Sequence, residues 1–146
     1  MRRMLFGACL VMTACAPGPP VPSTIRLGED ACARCRMTIV SLETAAQIVA
    51  PGAEPIMFDE IGCLRDYLAD NPLAADATVF VADHRSGAWI DARRAVFTKT
   101  ATRTPMSSGL LAHADVASRD AGPSARDGLL VDAADVLVPP ALSARP

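Results

Sequence analysis

The chain has 146 residues, a net charge of −2 and 51% hydrophobic residues, a size that allows one compact domain or two very small ones. The slight excess of acidic residues leaves no basic footprint for phosphates, which excludes nucleic acid as a partner. The composition therefore predicts a small globular protein with a modest core.

The N-terminus is typical of an export signal. Arg2 and Arg3 precede an apolar run over residues 4–12, which is too short to span a bilayer. This run ends in Thr13-Ala14-Cys15, and a small residue directly before a cysteine resembles a bacterial lipobox. We predict a lipoprotein signal peptide over residues 1–14, lipidation of Cys15, and a proline-rich tether over residues 15–28.

Three thiols remain in the folded part: Cys32, Cys35 and Cys63. An odd number in an exported protein indicates a free thiol, and therefore chemistry or metal binding rather than a disulfide scaffold.

The spacing of Cys35 and Met37 suits a strand, in which positions i and i+2 project from one face. Thiolate and thioether sulfurs are soft ligands that favour Cu(I), so the two side chains could hold one such ion together. The alternative is that both fill the core, since Cys and Met are common buried residues. Zinc would need four ligands, and no second Cys-x-x-Cys supplies them.

The predicted elements of the first half begin with a hairpin between residues 37–40 and 44–50, which ends at the turn Pro51-Gly52. A short strand follows over residues 55–58, and Asp59 is the predicted N-cap of a helix over residues 60–69. Residues 78–83 and 88–91 form the next strand pair.

The second half repeats this order loosely, with strands over residues 95–98, 109–114 and 129–131. Asp115 is predicted to cap a helix over residues 116–120, which Gly122-Pro123 interrupts. The prediction is an α+β fold of two small modules, residues 29–92 and 93–138, each with a short antiparallel or mixed sheet and one helix. Residues 139–146 are predicted to be disordered.

Further ligand candidates lie outside the cysteine motif. Met106 stands in a polar stretch, Thr104-Pro105-Met106-Ser107-Ser108, where a methionine that fills the core would be out of place. Met57, beside Phe58 on a strand, and Cys63, on an apolar helix face, fit the core better. His84 and His113 are isolated in the sequence, and surface or structural roles are favoured for both, with His113 the better outside candidate.

Four segments in this order resemble the NosL family: the lipobox, residues 32–37, residues 57–64 and residues 104–110. NosL proteins are lipoproteins that accompany nitrous oxide reductase in denitrifying bacteria, and the family is described as a Cu(I) chaperone for that enzyme. The resemblance implies two small α+β modules, and it supports Met106 as a ligand. The family usually has glycine where this chain has Arg36.

We therefore expect a lipid-anchored protein, facing the periplasm, that binds Cu(I) through Cys35, Met37 and Met106. Cys32, Cys63 and His113 are further candidates. Its expected partner is nitrous oxide reductase or the machinery that matures it. No catalytic constellation is present in the sequence, so we expect no enzyme. The rival hypothesis is a thiol-disulfide redox lipoprotein that uses Cys32 and Cys35.

Overall fold

A computed structural model describes residues 18–138 and contains two antiparallel sheets with short helices, so the chain has the α+β fold that the sequence predicts. The first sheet has four strands in the order β2-β1-β3-β4. Their bounds are Ala46–Val49 for β1, Ile56–Phe58 for β2, Thr78–Ala82 for β3 and Trp89–Asp91 for β4.

The predicted hairpin between residues 37–40 and 44–50 is wrong. Strand β1 pairs with β2 and β3 instead, and the turn Pro51-Gly52 joins β1 to β2, with Gly52 at a positive φ of 72°. Residues 37–40 contribute only an isolated bridge between Thr38 and Ala31. The backbone N–H of Ile39 donates to Asp30 O, so this segment folds back on the preceding loop. That local closure overrides its β propensity.

Helix α1 (Ile61–Asp70) lies between β2 and β3. Its N-cap is Glu60, which makes no side-chain cap hydrogen bond, so the prediction that Asp59 caps this helix is wrong. The carboxylate of Asp59 instead accepts a hydrogen bond from the thiol of Cys35. The predicted apolar face is buried at the residues Ile61, Leu64 and Leu68.

A short 3₁₀ turn (Ala92–Arg94) leads from β4 into the second sheet, whose strands lie in the order β6-β5-β7. The strands are β5 (Val96–Lys99), β6 (Leu110–His113) and β7 (Leu129–Val131). Helices α2 (Val116–Asp120) and α3 (Pro123–Arg126) connect β6 to β7, and α4 (Ala133–Leu137) follows.

The prediction for α2 is confirmed, because the Asp115 side chain accepts a hydrogen bond from Ser118 N at its start. The interruption at Gly122-Pro123 is the start of α3, where proline occupies the first turn. The second half thus has three short helices rather than one. Helices of four or five residues are too short to show an apolar repeat, which is why α3 and α4 are absent from the prediction.

The two sheets share one core. Leu64 of α1, Val81 of β3, Phe97 of β5, Leu110 of β6 and Val136 of α4 belong to the same cluster of buried residues. This continuity means that a side chain in one half can be positioned by the other.

The described part begins inside the predicted tether. Ile25 is buried, and Ser23 exchanges two hydrogen bonds with the side chain of Gln47. The predicted signal peptide, the lipidated Cys15 and the predicted tail over residues 139–146 lie outside the described residues. None of the described helices has the length and apolarity needed to cross a membrane.

Candidate metal centre

A tight loop presents Cys32 and Cys35. The N–H of Cys32 donates to Met37 O at 2.8 Å, and the N–H of Arg36 donates to Cys32 O at 3.0 Å. Closing the loop places Arg36 in the left-handed region, with φ of 67°. Cys35 and Met37 therefore do not lie on a strand, and the expectation that a strand aligns them is wrong.

The loop is anchored to the first sheet, where Ala33 N donates to Met57 O of β2 at 2.8 Å. This contact brings the two thiols to the start of α1, which contributes Cys63, and to Asp59, which follows β2 directly. The four ligand atoms of Cys32, Cys35, Asp59 and Cys63 all lie within 4.8 Å of one another. Three of these side chains are buried and Cys35 is half-buried.

Asp59 is the polar centre of this group, which we call the thiol cluster. The Sγ of Cys35 donates to Asp59 Oδ2 at 3.2 Å. The other oxygen, Oδ1, is buried and has no hydrogen-bond partner among the described residues. A buried carboxylate oxygen without a partner is costly, and a cation within the cluster would satisfy it.

The three thiols of the cluster differ in pKa. A hydrogen bond from Cys63 lowers the pKa of Cys32 to about 6. The same hydrogen bond raises the pKa of Cys63 far above its ordinary value, and burial raises the pKa of Cys35 to about 11. Cys32 is therefore the thiol of the cluster that loses its proton most readily, because a hydrogen bond from Cys63 stabilises its charged form.

Met106 lies across a cleft from the thiol cluster. The cleft has a volume of about 360 Å³, and Cys35, Cys63 and Met106 are among the residues that line it. The Met106 side chain is 51% exposed, as its polar surroundings in the sequence indicate. An exposed methionine thus lines a cleft that two cysteines also line.

The loop of Met106 is held in place by the start of α1. The N–H of Met106 donates to Glu60 Oε2 at 3.1 Å, and Glu60 is 1% exposed. Gly62 allows the close approach, since a Cβ at this position would overlap the Ser108 side chain. The helix that carries Cys63 therefore also positions the Met106 loop.

Met37 occupies an adjoining depression of about 50 Å³, which it lines together with Asp59 and Pro105. Its side chain is 47% exposed. Of the three predicted ligands, Cys35 and Met106 line one cleft and Met37 lines the other depression with Asp59, and their joint coordination of one ion stays a prediction.

His113 is not part of the thiol cluster. It lines a separate cavity with His84, and none of the cluster residues lines that cavity. The sequence reasoning missed Asp59 as a member of the group, because Asp59 resembled a helix cap. It placed Cys63 in the core, and Cys63 is buried but shares the cluster. The available signal was the four-residue spacing of Asp59 and Cys63, which is one helical turn.

Three thiols and a carboxylate at one edge of an α+β fold define a candidate centre for a soft or borderline metal ion. The count of four donors also removes the objection that zinc lacks ligands in this chain.

Comparison with known proteins gives one informative result. No family model matches the sequence, and no curated protein matches it. The crystal structure of the copper chaperone NosL from Shewanella denitrificans is similar, with a TM-score of 0.58 and 18% identity over 72% of this chain and 86% of that chain. The chain therefore shares its fold with that NosL protein.

Proposed function

We propose that this protein carries one Cu(I) ion bound by sulfur and passes it to an acceptor by ligand exchange. The observation that carries the proposal is the cleft that the half-buried Cys35, the buried Cys63 and the exposed Met106 line together. Soft sulfur donors select Cu(I), and exposed donors can be replaced by those of a partner.

The proposed ligands are Cys35, Met37 and Met106. Two come from the cysteine loop and the third from the loop that Glu60 holds in position. A carrier needs few ligands, so that a coordination position stays open to the acceptor. Cys32 and Cys63 lie close enough to replace a thioether when the ion is withdrawn into the cluster.

The proposed setting is the periplasmic face of a bacterial membrane, where Cys15 would carry the lipid anchor, including palmitate. The lipobox pattern and the proline-rich residues 15–28 support this setting. The proposed acceptor is nitrous oxide reductase or its maturation machinery. The sequence resemblance described above and the fold shared with a NosL copper chaperone support this acceptor.

The test is Cu(I) affinity, measured anaerobically on the reduced protein by competition with a colorimetric chelator. We expect Cys35→Ser to weaken binding roughly a hundredfold and Met37→Leu or Met106→Leu about tenfold, where each tenfold step is about 1.4 kcal/mol. The matched control is Met57→Leu, since Met57 packs in a small apolar cluster away from the cleft. Unchanged binding by Met106→Leu, together with loss in Cys32→Ser or Cys63→Ser, would show that the site uses thiols alone.

A zinc site is the second candidate, because the four donor groups include three buried residues. Repeating the Cu(I) measurement in the presence of Zn(II) distinguishes a copper carrier from a zinc site. A Cu(I) carrier keeps Cu(I) when Zn(II) is present in excess, whereas a structural zinc site retains Zn(II) and loses it only on unfolding.

The thiol-disulfide alternative fits the geometry less well. A reactive redox cysteine is accessible and has a lowered pKa, usually at the start of a helix. Here the thiol with the lowered pKa, Cys32, is 0% exposed, and the more accessible Cys35 has a raised pKa. Both residues lie in a turn rather than in a helix.

A further inference from the structure

A second cavity, of about 430 Å³, lies apart from the thiol cluster and contains both histidines of the protein. His84 follows β3 of the first sheet, and His113 ends β6 of the second. Their ring centroids are 6.3 Å apart, and the rings are nearly perpendicular. Two imidazoles from different sheets thus meet at one cavity.

One ring nitrogen of His113 is buried without a hydrogen-bond partner among the described residues. The residue is 0% exposed, and its Nε2 lies 3.2 Å from Thr98 Oγ1. Its Nδ1 is buried and has no hydrogen-bond partner among the described residues. A buried polar atom without a partner destabilises the fold, so its retention calls for a ligand.

His84 also has one ring nitrogen engaged by the protein. Its Nδ1 lies 3.1 Å from the carbonyl oxygen of Glu43. A carbonyl only accepts, so Nδ1 carries the proton, and Nε2 of the neutral ring keeps its lone pair. In His113, an Nε2 proton donated to Thr98 leaves the lone pair on Nδ1. Metal-binding histidines have this arrangement, in which one ring nitrogen donates to an oxygen and the other binds the metal.

The separation of the rings suits a shared ion. With metal–nitrogen bonds of about 2.1 Å, two rings on one ion have centroids about 5.3 Å apart in tetrahedral geometry and about 6.4 Å apart when the two nitrogens lie on opposite sides of the ion. The observed 6.3 Å is close to the larger of these separations, so the half-buried His84 ring must move towards His113 for both rings to bind a tetrahedral ion.

The charges around the cavity are mixed. The carboxylate of Asp83 lies near His113 and the exposed Glu43 lies at the rim, and both favour a cation. Arg85 at the rim and Arg119 near His113 oppose it. Burial lowers the pKa of His113, which keeps its ring neutral and able to bind a metal.

We propose that His84 and His113 form a second metal site, for a borderline divalent ion such as Zn(II) or Cu(II), separate from the thiol cluster. Imidazole nitrogen suits these ions, whereas it adds little for a soft Cu(I) ion that thiolates can bind. Water or the carboxylate of Glu43 would complete the coordination of the metal ion. This inference does not depend on the proposed function.

The test uses Zn(II), which does not oxidise thiols, and nitrogen NMR of the imidazoles in the reduced full-length protein. The chain has two histidines, so every imidazole signal belongs to this site even while the thiol cluster also takes zinc. We expect the unprotonated nitrogens of both rings to shift together as the second equivalent of Zn(II) is added.

The deciding variant is His84→Gln, since His84 is half-buried and its replacement should leave the fold intact, which amide spectra verify. In this variant at least tenfold more Zn(II) should be needed to shift His113. Arg85→Gln is the matched control at the same cavity and should bind Zn(II) at least as tightly. Unmoved imidazole signals, movement of one ring alone, or an unchanged His113 response in His84→Gln would overturn the proposal. Each result is independent of Cu(I) binding at the cluster.

Discussion

Arg36 carries the clearest strain of the cysteine loop. Its φ of 67° is the left-handed conformation, which is unfavourable for a residue with a side chain by about 1–2 kcal/mol. The glycine usual in the NosL family at this position would remove that cost. The exposed Arg36 side chain makes no hydrogen bond or ion pair with another described residue, so its charge can be changed without disturbing the packing.

We therefore expect Arg36→Gly to raise the free energy of unfolding by about 0.5–1 kcal/mol, since the gain at φ exceeds the extra entropy of glycine in the unfolded chain. Urea denaturation of the reduced, metal-free protein measures it. The matched control is Arg36→Ala, which removes the same charge but keeps a Cβ at the positive φ, and which should not raise stability. Equal changes in both variants would contradict the strain argument.

At the level of single residues, the sequence identifies the site only in part. Cys35 and Met106 stand out because a thiol in an odd set and a methionine in a polar stretch break the usual patterns. Asp59 and Cys63 do not stand out, since capping and an apolar helix face explain them locally. Their role depends on how the cysteine loop docks on β2, a contact between residues far apart in sequence.

Among the elements, the strands of both sheets were predictable because each is a short β-prone run bounded by turn residues. The pairing of β1 was not, since two neighbouring runs were available as partners and the closed cysteine loop removed one of them. The contact between the two sheets could not be predicted from the sequence either. One polar residue at this contact is Asp83, which follows β3 and is 2% exposed.

Asp83 connects elements of both sheets. Its Oδ1 accepts from Arg85 N, Ser86 N and Ser86 Oγ at 2.8–3.1 Å. Its Oδ2 accepts from Ala114 N and Ser118 Oγ, each at 2.7 Å. Burial alone would raise the pKa of Asp83, but these hydrogen bonds outweigh it and hold the pKa well below its ordinary value.

We expect Asp83→Asn to lower the free energy of unfolding at pH 7 by about 2–3 kcal/mol, because an amide cannot accept all of these hydrogen bonds. A lowered pKa in the folded state stabilises the protein above the unfolded pKa, near 3.9, and this contribution is lost as the pH falls below that value. The gap between parent and variant should therefore narrow below about pH 4.

Denaturant unfolding across pH measures this gap. The control is Asp127→Asn, whose side chain is 73% exposed and pairs only with its neighbour Arg126, so little change is expected. A gap that is constant from pH 7 to pH 3 would show that the charge of Asp83 is not the cause.

For the whole molecule, the two sheets share one core, so the loops that carry the ligands of the proposed copper site are fixed to the same core. Such a protein can act only if it reaches its acceptor, and the lipid on Cys15 is the proposed means. The sequence indicates the fold class and the soft donors, and the lipid anchor on Cys15 stays a prediction. It does not indicate the union of the two sheets, which arises from apolar residues distributed over the whole chain.

In a strain that lacks this protein and grows with limiting copper, we expect nitrous oxide reductase to accumulate as polypeptide with reduced copper content. Parent and Met57→Leu should restore the copper, and Cys35→Ser should not. Cys15→Ser should leave the membrane fraction and appear in the soluble periplasm. Metal analysis of the purified enzyme and cell fractionation give these results. Full copper loading in the deletion strain would exclude the proposed delivery role.

The order of exposure among the candidate ligands has a kinetic consequence. Met106 and Met37 are 51% and 47% exposed, Cys35 is half-buried and Cys32 is 0% exposed. A docking partner therefore meets a neutral thioether, the weaker donor, before any thiolate. When Cu(I) is transferred, the weak bond to a methionine thioether breaks first, and it breaks while thiol sulfur still holds the ion. Escape into solvent is then slow, whereas transfer accelerates with the concentration of the acceptor.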